Sequence, residues 1–457
     1  MPQLRDRFRK EKEQQREIEV KVQTEDMRTT SEEADHVQNV LKQISIKYRD
    51  AIAKVDLEIP EDLNISIRQS VVEICNHLDG VDYESRKRIE RLVMANIVGL
   101  GVITPYMQDK EVTEIVVQHW DNIVIERNGL IEKVNAAFMN EDHLRNIINR
   151  IVQPVGRAIN IQSPLVDARL SDGSRVNATI PPVTPDGATL TIRKFSDTAL
   201  TGADYLRLGS IGENMLDFLS KCVEGKISLI VSGGTGTGKT TLLNMLSSYI
   251  PNTELIITVE DSCELNLHQP NVRRMEARIG SAIGHGERLN DVTIQDLVRN
   301  ALRMRPDRLI VGEIRDHTIV DMMTAMSTGH EGSMSTVHAN SPHNLVVSRM
   351  PILYGMNRQM TFSESAQAIQ ITEALQLIVQ IQRMRNGRRV ITQVTEVTGL
   401  DDHDRVILND IFKYDENENR FVATGYVPEK IIDKLAARNI VFPESMFAKG
   451  AFGGDVA

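Results

Sequence analysis

Eight consecutive residues near the middle of the chain match the pattern GxxxxGK[ST], in which glycines surround one lysine and one hydroxyl residue. They are Gly233, Gly234, Thr235, Gly236, Thr237, Gly238, Lys239 and Thr240, and Thr241 follows them. Glycines let the backbone curl until several N–H groups point at one anion, and a following helix adds a favourable dipole. Lys239 offers a positive charge to the outer phosphates, and the Thr240 hydroxyl is a hard ligand for Mg²⁺. The segment therefore predicts a site for ATP and Mg²⁺.

The flanking sequence supports this prediction. An apolar run at Ile227–Ser232 predicts a strand before the loop, and Thr241–Tyr249 predicts a helix after it. Strand, loop and helix in this order are the context that the phosphate-binding motif requires. A glycine-rich turn without a ligand would need neither the lysine nor the threonine, so we favour the phosphate site.

Two further apolar runs end in acidic residues that could support hydrolysis. Glu260 ends the first run and is followed by Glu264, and Glu313 ends the second. Attack on the γ-phosphate needs an oriented water, and Mg²⁺ needs oxygen ligands. Ligands of open α/β sheets bind beyond the carboxyl ends of strands, so we expect Glu260 and Glu313 at the phosphate site. Judged singly, each could be an exposed acidic residue at a strand end.

Two histidines and three arginines complete the candidate residues. His330 and His338 flank a run rich in glycine and hydroxyl residues, and one of them could sense the γ-phosphate or pack as a structural residue. A metal site here would need a third ligand at suitable spacing, which the sequence does not offer. Arg169, Arg175 and Arg193 precede the loop, and they could bind phosphate through two N–H groups or form surface salt bridges.

The spacing of apolar residues predicts the helices and strands that position these candidate residues. Helical spacing, strand-like runs and then alternating strands and helices succeed one another along the chain. The alternation predicts an α/β fold with a mostly parallel sheet covered by helices on both faces. The predicted order is a charged segment that is disordered or a solvated helix at 1–36, a helical bundle at 37–100, an α+β domain at 101–196, a linker at 197–212, the α/β domain at 213–447 and a flexible tail at 448–457.

Composition narrows the classes of function. The chain has 457 residues, a formal net charge of -10 and 4% aromatic residues, which disfavours a nucleic-acid binder with a basic face. Three distant cysteines form no CxxC pair, so we expect reduced thiols in a cytoplasmic protein. No apolar stretch approaches the roughly 20 residues of a membrane span, and the charged N-terminus does not resemble a secretory signal. Membrane contact is therefore expected only through a partner or a peripheral surface.

The motifs also resemble a known family when they are taken in order. The loop, TVED at 258–261, RPDRLIVGEIRD at 305–316 and STGHEGSMSTVHAN at 327–340 are similar to the Walker A, Asp, Walker B and His boxes of the secretion-ATPase superfamily. The stretches at 165–177, 296–304, 391–397 and 409–412 most resemble its CpaF-like branch, the tight-adherence (Tad/Flp) pilus ATPases. The resemblance covers roughly residues 37–447. The sequence lacks the tetracysteine zinc motif that is typical of the type II secretion and pilus extension branches.

The resemblance implies a homohexameric ring at the cytoplasmic face of the inner membrane, driving a membrane platform protein. Each subunit would join an N-terminal domain to a RecA-like domain, with ATP between them. Glu260 and Glu313 would position water and Mg²⁺, and His330 and His338 would belong to the His box. Arg175 and Arg193, together with Arg169, would reach the phosphates from the N-terminal domain. Ile314-Arg315-Asp316 departs from the usual Val-Arg-Gly, and we expect no role for that aspartate.

Two alternatives stay open on the residues alone. A nucleic-acid translocase of RecA-like fold would need a basic channel with aromatic residues, which the composition disfavours. A regulatory module that binds ATP with little turnover would not need Lys239, Glu260 and Glu313 together. The sequence therefore favours a motor enzyme that hydrolyses ATP.

Overall fold

The computed structural model describes residues 31–48, 51, 60–127, 129–195, 199–278, 281–284, 287–289, 291–357 and 362–452. They divide into two compact units, the first ending at residue 196 and the second starting at residue 197. The predicted charged segment lies outside the described residues up to residue 30, and its remainder belongs to a helix. The predicted tail lies outside them from residue 453 onward.

The first unit begins with helices whose apolar positions recur at helical spacing. Ile44, Ile67 and Ile89, one from each of the three long helices, are fully buried. Asp82 caps the third helix by accepting a hydrogen bond from the N–H of Ser85. The bounds are α1 Ser31–Lys47, α2 Glu61–Asn76, α3 Tyr83–Val98 and, after a 3₁₀ turn at Gly101–Ile103, α4 Thr104–Gln108.

A six-stranded antiparallel sheet forms the rest of the first unit, in the order β3-β2-β1-β6-β5-β4. Helix α5, Glu141–Val152, packs on the sheet through Leu144 and Ile148. The three long helices and the sheet share one hydrophobic core, so the segments predicted as a bundle and an α+β domain pack as one body. The strands are β1 Val112–His119, β2 Asn122–Arg127, β3 Leu130–Lys133, β4 Leu165–Arg169, β5 Arg175–Thr179 and β6 Thr189–Arg193.

The second unit is built on a ten-stranded sheet, in the order β18-β17-β16-β15-β14-β7-β13-β12-β8-β9. The pairings from β14 to β9 are parallel, and those from β14 to β18 are antiparallel. A separate hairpin joins β10 and β11. The strands are β7 Leu229–Gly233, β8 Ile256–Glu260, β9 Val272–Glu276, β10 Ser281–Gly284, β11 Glu287–Leu289, β12 Arg308–Ile314, β13 Met334–His338, β14 Leu377–Arg383, β15 Arg389–Leu400, β16 Val406–Asp415, β17 Arg420–Ala423 and β18 Gly450–Phe452.

Helices cover both faces of this sheet, which confirms the predicted RecA-like α/β class. Alternate residues of β7 point to opposite faces of the sheet. Val231 packs with the helices at 213–224, 239–247 and 429–436, and Ile230 packs with those at 294–301, 318–327, 350–355 and 364–374. Among the described helices, none combines the length and the apolar character that a bilayer crossing requires. The helices are α6 Gly202–Arg207, α7 Glu213–Glu224, α8 Lys239–Ser247, α9 Ile294–Ala301, α10 Thr318–Ser327, α11 Pro342–Asn344, α12 Met350–Gly355, α13 Glu364–Ala374 and α14 Glu429–Ala436.

One short helix lies where the sequence predicts a linker. Helix α6 forms within 197–212 because Thr201 and Asp204 make a reciprocal capping box at its start. Each side chain accepts a hydrogen bond from the other residue's backbone N–H, which satisfies two donors that a helix end would leave open. The segment is therefore structured from Thr201, although its glycines favoured a loop.

Candidate active site

The GxxxxGK[ST] segment forms a tight loop between a strand and a helix. Strand β7 ends at Gly233, and α8 begins at Lys239. Gly236 and Gly238 have φ angles of 70° and 91°, in the left-handed region that favours glycine. A Cβ on Gly233 would lie 2.5 Å from the carbonyl oxygen of Ile381, so a side chain has no room there. These glycines give the loop the curled backbone that an anion cradle requires.

The lysine of the loop is held within the loop itself. Lys239 Nζ donates to the carbonyl oxygen of Gly234 at 3.1 Å, and Thr237 Oγ1 donates to the same oxygen at 2.9 Å. Burial lowers the pKa of Lys239, and the nearby carboxylate of Glu313 opposes that shift. Of the other predicted loop residues, Thr235 and Thr241 are exposed and Thr240 is half-buried.

The order of the strands brings several predicted residues to the same edge. β13, β12 and β8 follow β7 in parallel, so His338, Glu313 and Glu260 lie at adjoining carboxyl ends. His338 pairs in register with Gly233, the first residue of the loop, and is exposed. Because ligands of such sheets bind beyond this edge, the arrangement can place a histidine and two carboxylates around a phosphate group.

The Glu260 carboxylate binds backbone N–H groups at this edge of the sheet. Its side chain is buried, and Oε1 accepts hydrogen bonds from the N–H groups of Glu264 at 2.9 Å and Leu265 at 3.0 Å. An ideal Cβ on Gly312 would lie 3.0 Å from Glu260 Cγ, so the neighbouring strand packs closely against the carboxylate side chain. Glu260 thus anchors the loop that follows β8.

Glu313 instead forms hydrogen bonds with Arg315, an arginine for which the sequence predicted no role in the site. Arg315 donates to Glu313 Oε2 from Nη2 at 2.6 Å and from Nε at 3.0 Å, and its Nη1 lies 3.5 Å from Asp261 Oδ2. The hydrogen bond to Glu313, with the charges of Asp261 and Glu264, raises the pKa of Arg315. The guanidinium therefore contacts two carboxylates, those of Glu313 and Asp261. The signal in the sequence was the positive charge two residues after Glu313, together with Asp261, the second acid of TVED.

His330 lies at the other end of its strand. The residue precedes β13, its N–H donates to the carbonyl oxygen of Ala325 at 3.3 Å, and its own carbonyl accepts from Ser333 Oγ at 2.6 Å. His338 ends the five-residue strand, so about 13 Å of extended chain separates the two ends of β13. The structure does not bring His330 to the phosphate-loop edge, and the proposed site leaves it out.

A second unassigned arginine contacts the loop from the antiparallel part of the sheet. Arg389, the first residue of β15, donates from Nε to the carbonyl oxygen of Gly236 at 3.2 Å. An ideal Cβ on Gly238 would lie 3.2 Å from Arg389 Cδ. The sequence carries no signal for this contact because residues 236 and 389 meet only when β14 pairs beside β7.

The three predicted arginines of the first unit form a row on its sheet. Arg169 pairs in register with Arg175, and Arg175 pairs with Arg193. Register partners on antiparallel strands share a face, and like charges placed opposite each other disfavour the pairing. Glu114 is opposite Arg193 on the next strand, and Arg169 Nε donates to the carbonyl oxygen of Gly173 at 3.2 Å. The row concentrates positive charge at one end of the polar face of the sheet.

The residues present fit a magnesium–nucleotide complex. Within the described ranges, no group of three histidine, cysteine or acidic side chains is arranged to hold a metal ion. Mg²⁺ commonly takes only one or two protein oxygens and completes its shell with substrate phosphates and water. The Thr240 hydroxyl in the first turn of α8 and the Glu313 carboxylate are oxygens of that kind.

The chain is similar to several known proteins. The sequence model of the family described as "Type II/IV secretion system protein" matches residues 96–429. A candidate conjugal transfer protein of Mycobacterium tuberculosis is 32% identical over 313 residues, which span 66% of this chain and 86% of that protein. The type IV secretion system protein VirB11 of Bartonella quintana is 31% identical over 276 residues, 53% of this chain and 76% of that protein. A crystal structure of the VirB11 ATPase from the Brucella suis type IV secretion system, in complex with sulphate, is also similar. The match has 26% sequence identity and a TM-score of 0.35, and it covers 64% of this chain and 90% of the VirB11 chain.

Proposed function

Because the chain belongs to the type II/IV secretion system protein family, and is an ATP hydrolase of that family, we propose that it is the motor of a CpaF-like tight-adherence (Tad/Flp) pilus or secretion machine. The observation that carries the proposal is the meeting of the phosphate loop, Glu313 and His338 at one sheet edge. A module that only bound nucleotide would need the loop but not the acid and the histidine beside it.

In the proposed mechanism, the backbone N–H groups of the loop and the Lys239 amine hold the outer phosphates of ATP. Thr240 and Glu313 are the proposed ligands of Mg²⁺, which when bound neutralises charge on the phosphates. Glu313 is the penultimate residue of β12 and its side chain is 25% exposed, so its carboxylate can accept a hydrogen bond from an attacking water. Arg315 balances the charge of that carboxylate and orients it. Glu260 holds the neighbouring loop in place.

His338 and the row of arginines complete the proposed chemistry. His338 lies beside Gly233, and we assign it to the γ-phosphate. Arg175 and Arg193, with Arg169, are proposed to supply positive charge to the phosphates in an assembled hexamer. A phosphoryl group in transfer carries negative charge that guanidinium groups stabilise.

The first experiment measures ATPase rate against protein concentration, with mass photometry on the same samples. We expect the rate per chain to rise as hexamers appear, and Lys239→Ala to abolish it. Lys221→Ala is the matched control, since that lysine pairs with Asp217 on the surface of α7. Activity that survives in Lys239→Ala would overturn the site. A constant rate per chain from monomers would overturn the ring and leave the ATPase in place.

A second experiment addresses the row of arginines. Arg175→Ala should lower kcat by about 10²-fold or more while the ATP concentration for half-maximal rate changes little, because the contact serves charge that develops in transfer. Arg157→Ala, which removes an exposed arginine of the same unit, should leave both values unchanged. Equal losses in binding and turnover would make Arg175 a ground-state or structural residue.

The proposed partner is an inner-membrane platform protein, which would hold the hexamer at the cytoplasmic face of the membrane without nucleic acid. We expect the chain in the membrane fraction of cells that contain the platform protein, and loss from that fraction when its gene is deleted. ATPase activity stimulated by single-stranded DNA would instead favour a translocase.

A further inference from the structure

The side chain of Gln380 links two strands that are not neighbours in the sheet. Gln380 lies on β14 and accepts a hydrogen bond from the hydroxyl of Ser232 on β7. Its Nε2 donates to the carbonyl oxygen of Ala339 at 3.2 Å, just after the end of β13. Because β7 lies between β14 and β13, this amide extends across the end of the strand that leads into the phosphate loop.

Both contacts adjoin residues of the candidate site. Ser232 precedes Gly233, the first residue of the loop, and Ala339 follows His338. The register places Gln380 opposite Ser232 and His338 opposite Gly233. One side chain therefore joins the base of the loop to the end of the strand that carries the histidine.

A second glutamine on the same strand continues this arrangement. Gln382 Nε2 lies 3.3 Å from the carbonyl oxygen of Asn340, the next residue of the chain that leaves β13. That chain then enters α11, which begins at Pro342. Two amides of β14 thus direct the backbone immediately after His338.

Burial makes the contacts of Gln380 difficult to replace. Gln380 and Ser232 have no exposed surface, and Ala339 is 2% exposed. Water cannot substitute for a hydrogen bond in such a place, and a buried polar group without a partner is costly. Val379 and Ile381, on either side of Gln380, are apolar core residues. The Gln380 side chain projects from the opposite face of the strand, where its amide is a specific polar link between the end of β7 and the chain that leaves β13.

We infer that Gln380 is a positioning residue for turnover, which holds His338 at a fixed place relative to the phosphate loop. The inference rests on the proposed role of His338 at the γ-phosphate. Gln380 acts on hydrolysis through His338, and nucleotide binding depends instead on the loop and Lys239. A misplacement of about 1 Å at a reacting centre can cost roughly 10²-fold in rate, so loss of this link should appear in kcat.

The test compares full-length variants in steady-state ATPase assays and in binding of a fluorescent ADP analogue. Gln380→Met, which fills similar space without an amide, should lower kcat by about 10-fold to 10²-fold and leave the ADP Kd within about 2-fold. Ser232→Ala removes the loop side of the link, so it should also lower kcat and leave the ADP Kd nearly unchanged. Lys221→Ala, on the surface of α7, is the matched control and should leave kcat unchanged. Wild-type kcat in both Gln380→Met and Ser232→Ala would overturn the assignment.

A double variant separates positioning from general damage to the fold. In a His338→Ala background, Gln380→Met should cause no further loss of kcat, since the residue through which it acts is already gone. An additional loss equal to that in the wild-type background would make Gln380 a structural residue and overturn the inference.

Gln380→Glu gives a readout that does not depend on Gln380→Met being folded. A protonated carboxyl group can donate to the Ala339 carbonyl, and an ionised one cannot. Relative to wild type, kcat of Gln380→Glu should therefore fall as pH rises. A constant ratio across pH would contradict the role of the donated hydrogen bond.

The outcomes also distinguish this inference from the proposed function. If Lys239→Ala abolishes hydrolysis while Gln380→Met and wild type turn over equally, the ATPase site stands and the positioning role fails. If His338→Ala leaves kcat unchanged, the role of His338 and the inference fail together, again with the ATPase intact.

Discussion

The two edges of the sheet in the second unit both carry an arginine paired with a glutamate, yet they differ in how the pairs are satisfied. At the amino edge, Arg308 is fully buried and bonds to Glu254 at 2.5 Å, to the carbonyl of Gly332 at 3.0 Å and to that of Val223 at 2.7 Å. At the carboxyl edge, the Arg315 side chain is 64% exposed and binds the carboxylate of Glu313. A closed network stabilises the fold, whereas an open one remains able to bind a ligand.

The same contrast holds for the two histidines of one strand. His330 lies among backbone contacts before β13, and His338 is exposed beside the phosphate loop. Residue type and nearness in sequence made them look equivalent, but a strand places its two ends at opposite edges of a sheet. Position along the strand therefore decides which histidine can reach a phosphate.

The largest expected effect is a loss of stability when Arg308, the buried arginine of the amino edge, is replaced. Arg308→Met should lower the free energy of unfolding by about 3–5 kcal/mol, because Glu254 and two carbonyl groups lose a buried partner. Chemical denaturation measures it, and the ATPase rate per folded molecule should be retained. Arg438→Met, which removes a half-exposed arginine 3.7 Å from Glu331 near the same edge, should cost about 1 kcal/mol or less. Equal costs would contradict the distinction between closed and open pairs.

The next effect concerns the open pair. Glu313→Gln should lower kcat by about 10²-fold or more, roughly 3 kcal/mol on the barrier, with ADP affinity nearly unchanged. Glu260→Gln is the matched control, since its amide oxygen can still accept the N–H bonds of Glu264 and Leu265, and its loss of kcat should be much smaller. If Glu260→Gln were the more damaging change, the base would have to be reassigned to Glu260.

A smaller effect is expected from a buried carboxyl group near the amino end of β14. Glu396 pairs with Leu377 and accepts a hydrogen bond from the Tyr426 hydroxyl at 2.7 Å, and burial raises its pKa above 4.5. Its contribution to stability is therefore present below about pH 4.5 and lost as pH rises through the folded pKa. Glu396→Gln removes this loss, so its stability relative to wild type should increase with pH in denaturation experiments.

A matched variant makes that pH prediction specific. Glu429→Gln removes an exposed carboxylate at the start of α14, and its effect separates loss of net charge from loss of the buried group. A stability of Glu396→Gln relative to wild type that decreases with rising pH would show that the ionised form is favoured in the folded protein.

The smallest effect is expected for the histidine of the amino edge. His330→Asn should keep kcat within about 2-fold of wild type, whereas His338→Ala should lower it by about 10-fold or more, in line with removal of a contact to the transferred group. Steady-state ATPase assays on both variants decide the matter. Similar losses from the two substitutions would restore His330 to the active site.

Much of the fold, the phosphate loop and the two acids Glu260 and Glu313 could be predicted, because they are marked by short patterns of neighbouring residues. Apolar runs marked β7, β8 and β12, and the acids at the carboxyl ends of β8 and β12 followed directly from these runs. The helix α6 was missed although Thr201 and Asp204 stand at capping-box spacing, since the glycines around it favoured a loop. The family resemblance marked only parts of β15 and β16, at 391–397 and 409–412, because the antiparallel strands from β15 to β18 carry no motif of their own.

The sequence by itself determined the phosphate loop, because its glycine dihedral angles and the helix start depend on neighbouring residues alone. Only the tertiary structure decided which charged residues share an edge. Ser232 and Gln380 are 148 residues apart, and Arg389 is 153 residues from Gly236. Such contacts depend on strand order, which is set by burial of whole faces of the sheet rather than by any short pattern of residues.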